Sequence, residues 1–345
     1  MDGSAVAVAI RRLAFSESLT LQQAADAFGS IMQGEATPVQ VASLLTALRV
    51  KGETADEVAG AAHALRVAMV QVQAESPGDL VDTCGTGGGS VTTFNISTVA
   101  GLLAAGLGVR VAKHGNRSFT SQCGSADVLE ALGVPLDAGV ECLAHVLASC
   151  GVVFMFAPAM HPAMRHVGAV RRELGIPTVM NIVGPLANPA GAGRQVVGVA
   201  ERHRLPLVAG ALLALGTEHA LVVHGEPGMD EVSPLGRTFV FEIRGGVVRE
   251  WTIDPEEYGL SGGTAADLRG GSPAENAQIA RELLMGGGST GARAAVILNA
   301  AAALFVAERC PSFATAVTVA QTALGTGIGL AVLDRMISAY RDYRG

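Results

Sequence analysis

Residues 81–98 read Val-Asp-Thr-Cys-Gly-Thr-Gly-Gly-Gly-Ser-Val-Thr-Thr-Phe-Asn-Ile-Ser-Thr, and this stretch decides the fold. Its apolar lead-in, Leu80 and Val81, reads as the end of a strand. Gly85, Gly87, Gly88 and Gly89 then remove four side chains from one short loop. Glycine permits positive φ, and a loop without Cβ atoms lets a ligand touch backbone N–H groups. Asn95, Ser97 or Thr98 can cap the helix that follows, which runs through Ala100 to Ala105. Strand, bare loop and helix N-terminus together form an anion site, so a phosphate or pyrophosphate is expected here. Two familiar phosphate loops are excluded. The P-loop ends in Gly-Lys-Ser/Thr, and no lysine occurs between Asp82 and Val111. The dinucleotide loop needs a third glycine where Ser90 stands and a later carboxylate where Arg110 and Lys113 lie.

Outward from this loop, short apolar runs alternate with helical stretches. Candidate strands are Leu80–Cys84, Val109–Lys113, Val152–Phe156, Val196–Val199 and Leu221–His224. Candidate helices between them are Ser97–Leu107, Ala126–Leu132, Glu141–Ala148 and Leu205–Leu215. That alternation predicts a mostly parallel sheet covered by helices. Phe239–Ile243 and Val247–Thr252 flank Arg244-Gly245-Gly246 and read as a β-hairpin. A loop-rich stretch and two late helices, Ala292–Glu308 and Phe313–Leu324, complete this part; the glycines of 286–291 read as a flexible helix connection.

Toward the N-terminus the texture is wholly helical. Leu21, Ala24, Ala25, Phe28, Ile31 and Met32 recur near a period of 3.6 behind a Thr20/Gln23 capping box. Thr37-Pro38 opens a helix with face Val41, Leu44, Leu45 and Leu48. Thr54 with Glu57 opens another, carrying Val58, Ala61, Leu65 and Met69. Residues 71–78 read as a linker. The fold expected is a small all-helical domain, residues 1–75, plus a larger α/β domain with a mostly parallel central sheet, residues 79–345.

Composition bounds the function. The 345 residues are 49% hydrophobic, enough for two domains or one large one. A net charge of −7 supplies no basic field for nucleic acid. Cysteines 84, 123, 142, 150 and 310 show no metal spacing and read as reduced thiols of a cytoplasmic protein. The uncharged stretches 142–164 and 174–193 are broken by proline and glycine, so neither is one membrane helix, and a soluble protein without a secretory signal is expected.

Chemistry gathers in three further clusters. Lys113-His114-Gly115-Asn116-Arg117-Ser118-Phe119-Thr120-Ser121 follows the second strand; its cations and hydroxyls suit phosphate oxygens, and Ser125 is expected to cap the next helix, with Asp127 in its first turn. On its own this is an ordinary basic turn; beside the glycine loop it completes a phosphate pocket. His161-Pro-Ala-Met-Arg165-His166 and Val170-Arg171-Arg172-Glu173-Leu174-Gly175 form the next cluster, followed by the loop Asn181 to Pro189, which alone reads as a turn. Last comes His224-Gly-Glu-Pro-Gly-Met-Asp230-Glu231, whose carboxylates, paired with a phosphate loop, suit magnesium.

These motifs in this order resemble the anthranilate phosphoribosyltransferase family over nearly the full chain. The resemblance implies a fold like the class II phosphoribosyltransferases and nucleoside phosphorylases, with a segment near 170–190 joining the helical domain. It implies transfer of phosphoribose from 5-phospho-α-D-ribose 1-diphosphate to anthranilate in tryptophan biosynthesis, with Mg²⁺ as a pair of ions, in a homodimer without nucleic-acid or membrane partners. By resemblance, Gly85, Gly88, Gly89, Thr93, Asn95, Ile96, Ser97 and Thr98 line the diphosphate donor site, completed by Lys113 to Ser121 and Ser125. Ser97, Asp230 and Glu231 match metal ligands. Gly85, Asn116 and Arg171 match anthranilate contacts, and His114, His161, Gly184 and Pro185 match its access path. Lys113 and Arg171 are the candidate catalytic residues. One departure stands out: the family often has Asp where this chain has Gly89, which puts the details of metal use in question. Cys84 and Cys123 are also less usual in their motifs. Two rivals are a nucleoside phosphorylase, against which the 161–175 stretch speaks, and a non-catalytic nucleic-acid-binding relative, against which the acidic charge and intact phosphate motifs speak.

Overall fold

The computed structural model describes residues 3–118 and 122–344. Four helices open the chain: α1 (Ala5–Ala14), α2 (Leu21–Met32), α3 (Pro38–Lys51) and α4 (Ala55–Ala68). Thr20, Thr37 and Thr54 each cap with a reciprocal bond from Gln23, Gln40 and Glu57, so local sequence sets where three of them begin. Glu57 is fully buried and doubles as an anchor, accepting Leu19 N at 2.9 Å and pairing with Lys51 Nζ at 2.9 Å. Met69, expected on the apolar face of α4, is instead its half-buried C-cap.

The α/β part contains a seven-stranded sheet. Its strands are β1 (Leu80–Gly85), β2 (Arg110–Gly115), β3 (Val152–Phe156), β4 (Arg194–Gly198), β5 (His219–Gly225), β6 (Thr238–Arg244) and β7 (Val247–Ile253). The order is β3-β2-β1-β4-β5-β6-β7; the first five are parallel, and the β6–β7 hairpin adds antiparallel to β5. The strand order reverses between β1 and β4, and parallel sheets bind ligands outside their carboxyl ends at such a point. Crossovers are made by α5 (Ile96–Gly106), α6 (Ser125–Leu132), α7 (Val140–Cys150), α8 (Ala157–Met160), α9 (Arg165–Leu174) and α10 (Leu205–Ala214). The C-terminal region holds α11 (Pro273–Leu284), α12 (Thr290–Val306), α13 (Phe313–Ala323) and α14 (Ile328–Asp342). Of these, α11 and α14 correct the expected loop-rich stretch and two late helices. A Ser272/Glu275 capping box starts α11, whereas Gly327 at the N-cap of α14 offers no side-chain signal.

Two hydrophobic cores result. One packs α5, α7, α11, α12 and α14 on one face of the sheet. The other joins the helical bundle to Val167 and Val170 of α9, to Val179, Ile182 and Leu186, and to Val208 and Leu212 of α10. Residues of the 170–190 segment thus share the bundle's core, and α10 joins it as well. The residues of α10 are apolar on every side, so it packs on the sheet and on α4 at once. Among the described residues no single helix is long and apolar enough to cross a membrane; α13 and α14 pass together by length and composition but are bent by 77°.

Candidate active site

The glycine loop, the N-terminus of α5 and the loop after β5 meet at the carboxyl edge of the sheet. Gly87, with φ +71°, points its N–H at Asp230, whose Oδ2 accepts it at 2.8 Å. Ser90 closes the far side of the loop, N to Gly228 O at 2.8 Å and Oγ to Pro227 O at 2.9 Å. Asp230 reaches this position because β4 ends in Gly198: a Cβ there would run into the Asp230 carbonyl. Glu231 Oε1 accepts Ser97 N at 3.2 Å, so the second carboxylate lies on the positive end of α5. Lys113, 5% exposed at the end of β2, donates to Thr83 O and, at 3.1 Å, to Ser97 Oγ. Burial lowers its pKa, opposed by the charges of Asp82, Cys84 and Glu231. The structure therefore brings Gly85, Gly87, Ser97, Lys113, Asp230 and Glu231 together.

Several expected details differ. Asn95 stands at the N-cap of α5, yet no side chain caps this helix. Its Nδ2 donates to Cys123 O at 3.1 Å and its Oδ1 accepts Asn276 Nδ2 at 2.9 Å, tying the loop to α11 instead. Thr98 is buried, its hydroxyl without a hydrogen-bond partner among the described residues, and the Ile96 side chain lies in the core, so only the Ile96 backbone can face a ligand. Ser125 does not cap α6. Gly124 is the N-cap, closed by Asp127, whose Oδ2 accepts Gly124 N at 2.8 Å; Ser125 Oγ turns to Asn116 O at 3.4 Å. Arg117 is exposed and turned to α6, bonding Asp127 at 2.8 Å and Glu130 at 2.8 and 3.0 Å. Of this cluster Lys113 is thus the buried cation. Asn116 accepts its neighbour's N–H, Arg117 N, at 2.8 Å. Phe119, Thr120 and Ser121 lie outside the described residues.

Beneath Lys113 lies a polar group that sequence reasoning missed. Asp82 is 0% exposed; its carboxylate accepts His114 N at 3.1 Å and Asn188 Nδ2 at 2.7 Å. Asn188 also donates to Ala112 O at 2.8 Å and accepts Ala190 N at 2.9 Å, so it is a rivet between β1, β2 and the 184–190 loop rather than part of a simple turn. Burial pushes the Asp82 pKa up to about 6, held back by Lys113 and Asn188. Beside it, the rings of His114 and His161 meet Nε2 to Nε2 at 3.2 Å. Burial lowers their pKa values to about 3 and about 4, so both are neutral at pH 7. The backbone of Gly184 meets the His114 ring and that of Ala187 the His161 ring; nearby, the Pro185 carbonyl accepts Gln195 Nε2 at 2.9 Å, and Arg66 Nε reaches Leu186 O at 2.7 Å. Arg171, in the last turn of α9, is half-buried, and burial lowers its pKa. No hydrogen bond among the described residues links it to the phosphate loops.

The carboxylate pair suits a divalent cation. Burial raises the pKa of Asp230; burial and then the neighbouring Asp230 charge raise that of Glu231 to about 8. Two carboxylates desolvated side by side are relieved by a cation between them. Among the described residues no three His, Cys, Asp or Glu side chains converge into a full cage. That fits magnesium, which keeps waters and takes one or two carboxylates plus substrate phosphates. A separate groove of about 840 Å³ between residues 202–206 and the β6–β7 hairpin contains none of these groups.

Known proteins give the same reading. Residues 77–330 match the family described as glycosyl transferase family, a/b domain, and residues 7–69 its helical bundle domain. Fold and family match thus define a glycosyl transferase built of a helical bundle domain and an α/β domain. The anthranilate phosphoribosyltransferase of Chloroflexus aggregans is 47% identical over 334 residues, 96% of this chain and 98% of that one. The crystal structure of the Thermus thermophilus anthranilate phosphoribosyltransferase superposes with a TM-score of 0.91 at 42% identity, covering 96% of this chain and 99% of that one. The Saccharomyces cerevisiae enzyme in complex with PRPP and Mg gives 0.89 at 28% identity, covering 99% of each. The chain belongs to the anthranilate phosphoribosyltransferase family.

Proposed function

We infer that this protein transfers the phosphoribosyl group of 5-phospho-α-D-ribose 1-diphosphate to the amine of anthranilate, releasing pyrophosphate. The observation that carries the reading is the convergence of Lys113, the Ser97 and Gly87 N–H groups and the Asp230–Glu231 pair on one edge of the sheet. The reaction's barrier lies in the departure of pyrophosphate from C1 of the ribose. Fixed donors aimed at that leaving charge stabilise it without reorganising. Lys113 and the N–H groups of the glycine loop and α5 supply those donors. Ser97, Asp230 and Glu231 would hold Mg²⁺, as a pair of ions, and the metal would supply further charge stabilisation for the diphosphate. The relative crystallised with PRPP and Mg supports this assignment.

Anthranilate brings an aromatic amine already neutral at pH 7, so no strong general base is required. Arg171 aims its carboxylate. His114 and His161, held neutral by burial, line the access path with Gly184 and Pro185, while Gly85 and Asn116 border both substrates. The remaining donor-site contacts are Gly88, Gly89, Thr93, the Asn95–Thr98 backbone, Gly115, Arg117 to Ser121 and Ser125. The helical domain of residues 1–75 and the α/β domain of 79–345 would close on the substrates across the cleft, excluding water from a ribose cation. Lys113 and Arg171 then act mainly by positioning and electrostatics.

The protein works as a cytoplasmic homodimer through its helical domain. Val8 of α1, Phe15 at its C-cap, and Val39 and Val50 of α3 are exposed, Phe15 by 81%, and give the helical domain apolar contact area. Loss of anthranilate fluorescence on mixing protein, 5-phospho-α-D-ribose 1-diphosphate and Mg²⁺ tests the reaction. Folded protein that leaves fluorescence unchanged but phosphorolyses thymidine or uridine would replace it with the nucleoside phosphorylase reading.

A further inference from the structure

Asn299 is the polar side chain in the run Ala294-Ala-Val-Ile-Leu-Asn-Ala-Ala-Ala-Ala-Leu304 of α12, and it is 3% exposed. A carboxamide there costs stability unless every hydrogen-bonding atom is used. Its Oδ1 accepts Val232 N at 2.9 Å, and its Nδ2 donates to Val232 O at 2.8 Å and to Ala295 O at 2.9 Å. Both N–H groups are taken, so nothing on the donor side is left for a ligand.

Val232 directly follows Glu231 and is fully buried outside any strand. Asn299 binds both of its backbone groups, as a neighbouring strand would. The helix that carries Asn299 packs on α5, whose Ser97 N–H meets Glu231 at 3.2 Å. Asn299 and Glu231 also line one small cavity with Thr83, Ser97 and Gly198. The orientation of the carboxylate pair is thereby referenced to the same helix layer that sets α5.

We propose that Asn299 is a positioning residue for the Asp230–Glu231 pair: by clamping Val232 it fixes where the two carboxylates point, and so sets magnesium and diphosphate affinity without touching either. The inference rests on the reading of Asp230 and Glu231 as metal ligands. Asn299→Asp keeps the volume but sets an acceptor against the Val232 and Ala295 carbonyls. Ile297→Ala, a core truncation in the same helix, controls for lost stability alone.

The test is calorimetric binding of 5-phospho-α-D-ribose 1-diphosphate across a Mg²⁺ series, on protein shown folded by circular dichroism. Disturbing groups that orient a metal ligand costs roughly 10–100-fold in affinity, so N299D should need about tenfold more Mg²⁺ for half-maximal binding. Its anthranilate KM should stay within about twofold, a split that general loosening would not give. Asn299→Ser, too short to span Val232 but uncharged, carries the same expectation should N299D not fold. A wild-type Mg²⁺ midpoint in the folded Asn299 variant, or an equal shift in Ile297→Ala, overturns the proposal alone. Wild-type protein with no magnesium-dependent heat overturns the metal-site reading, and this inference with it.

Discussion

Replacing Asn188 by alanine should destabilise the protein far more than an exposed loop substitution, and increasingly so as pH rises. The side chain makes three short buried hydrogen bonds, to Asp82 at 2.7 Å, to Ala112 O at 2.8 Å and from Ala190 N at 2.9 Å, and a fourth, long one from Ala192 N at 3.5 Å that adds little. A neutral buried bond contributes about 1 kcal/mol, and one to a carboxylate about 2 kcal/mol. With Asp82 ionised, the loss is therefore about 4 kcal/mol; with Asp82 protonated it is about 3 kcal/mol. The sign of the pH dependence follows from Asp82. Its folded pKa of about 6 lies above the ordinary value of 3.8, so between those values the folded state holds a proton that the unfolded chain has released. Asp82 therefore lowers stability as pH rises through that window, and the full cost applies above it. Asn188 is one of the groups holding this pKa down. Without it the pKa climbs further and the window widens upward. Urea unfolding of wild type and Asn188→Ala, followed by circular dichroism at pH 4.5 and pH 8, gives both losses. A loss below about 1 kcal/mol, or one no larger at pH 8, refutes the claim that Asn188 compensates a buried carboxylate.

Gly198→Ala should push Asp230 away from the glycine loop; a displacement near 1 Å costs about 100-fold, and wild-type kcat/KM in folded variant would contradict it. Gly89→Asp puts a Cβ 3.3 Å from Asp230 Oδ1. At about 5 Å and an effective dielectric near 20, the new charge repels Asp230 by roughly 3 kcal/mol. Metal-free Tm should fall and the rise in Tm on adding Mg²⁺ should grow; a smaller rise than in wild type would count against the site. Arg171→Ala should raise the anthranilate KM at least about tenfold while leaving that for 5-phospho-α-D-ribose 1-diphosphate within about twofold. An unchanged anthranilate KM would remove Arg171 from the substrate site.

What could be read in the sequence was what local chemistry dictates. Capping boxes at Thr20 and Thr54, the Arg244-Gly-Gly246 turn and the apolar runs fixed helix starts and strands nearly to the residue. The glycine loop was recognisable because four absent side chains in one turn have few other uses. Contacts between distant residues were not legible. His114 and His161 are 47 residues apart, and Asp82 and Asn188 are 106 apart. A signal for Asp82 existed nonetheless: a carboxylate beside Leu80 and Val81 in a buried strand requires a partner. Of the caps expected, Asn95 failed because tertiary partners hold its side chain, and Ser125 failed because the N-cap falls one residue earlier with a different local closure. Asn276 and Cys123 take the Asn95 amide, and Asp127 closes α6 from inside the helix.

The donors best suited to an incoming phosphate are already engaged. Gly87 N–H meets Asp230 and Ser97 N–H meets Glu231. A cation that draws these carboxylates toward itself frees both amides, and an anion that takes the amides leaves both carboxylates to the cation. Each ligand thereby strengthens the other's hold, by the same factor in either order. Cation and anion would thus each hold this edge more tightly in the other's presence than alone.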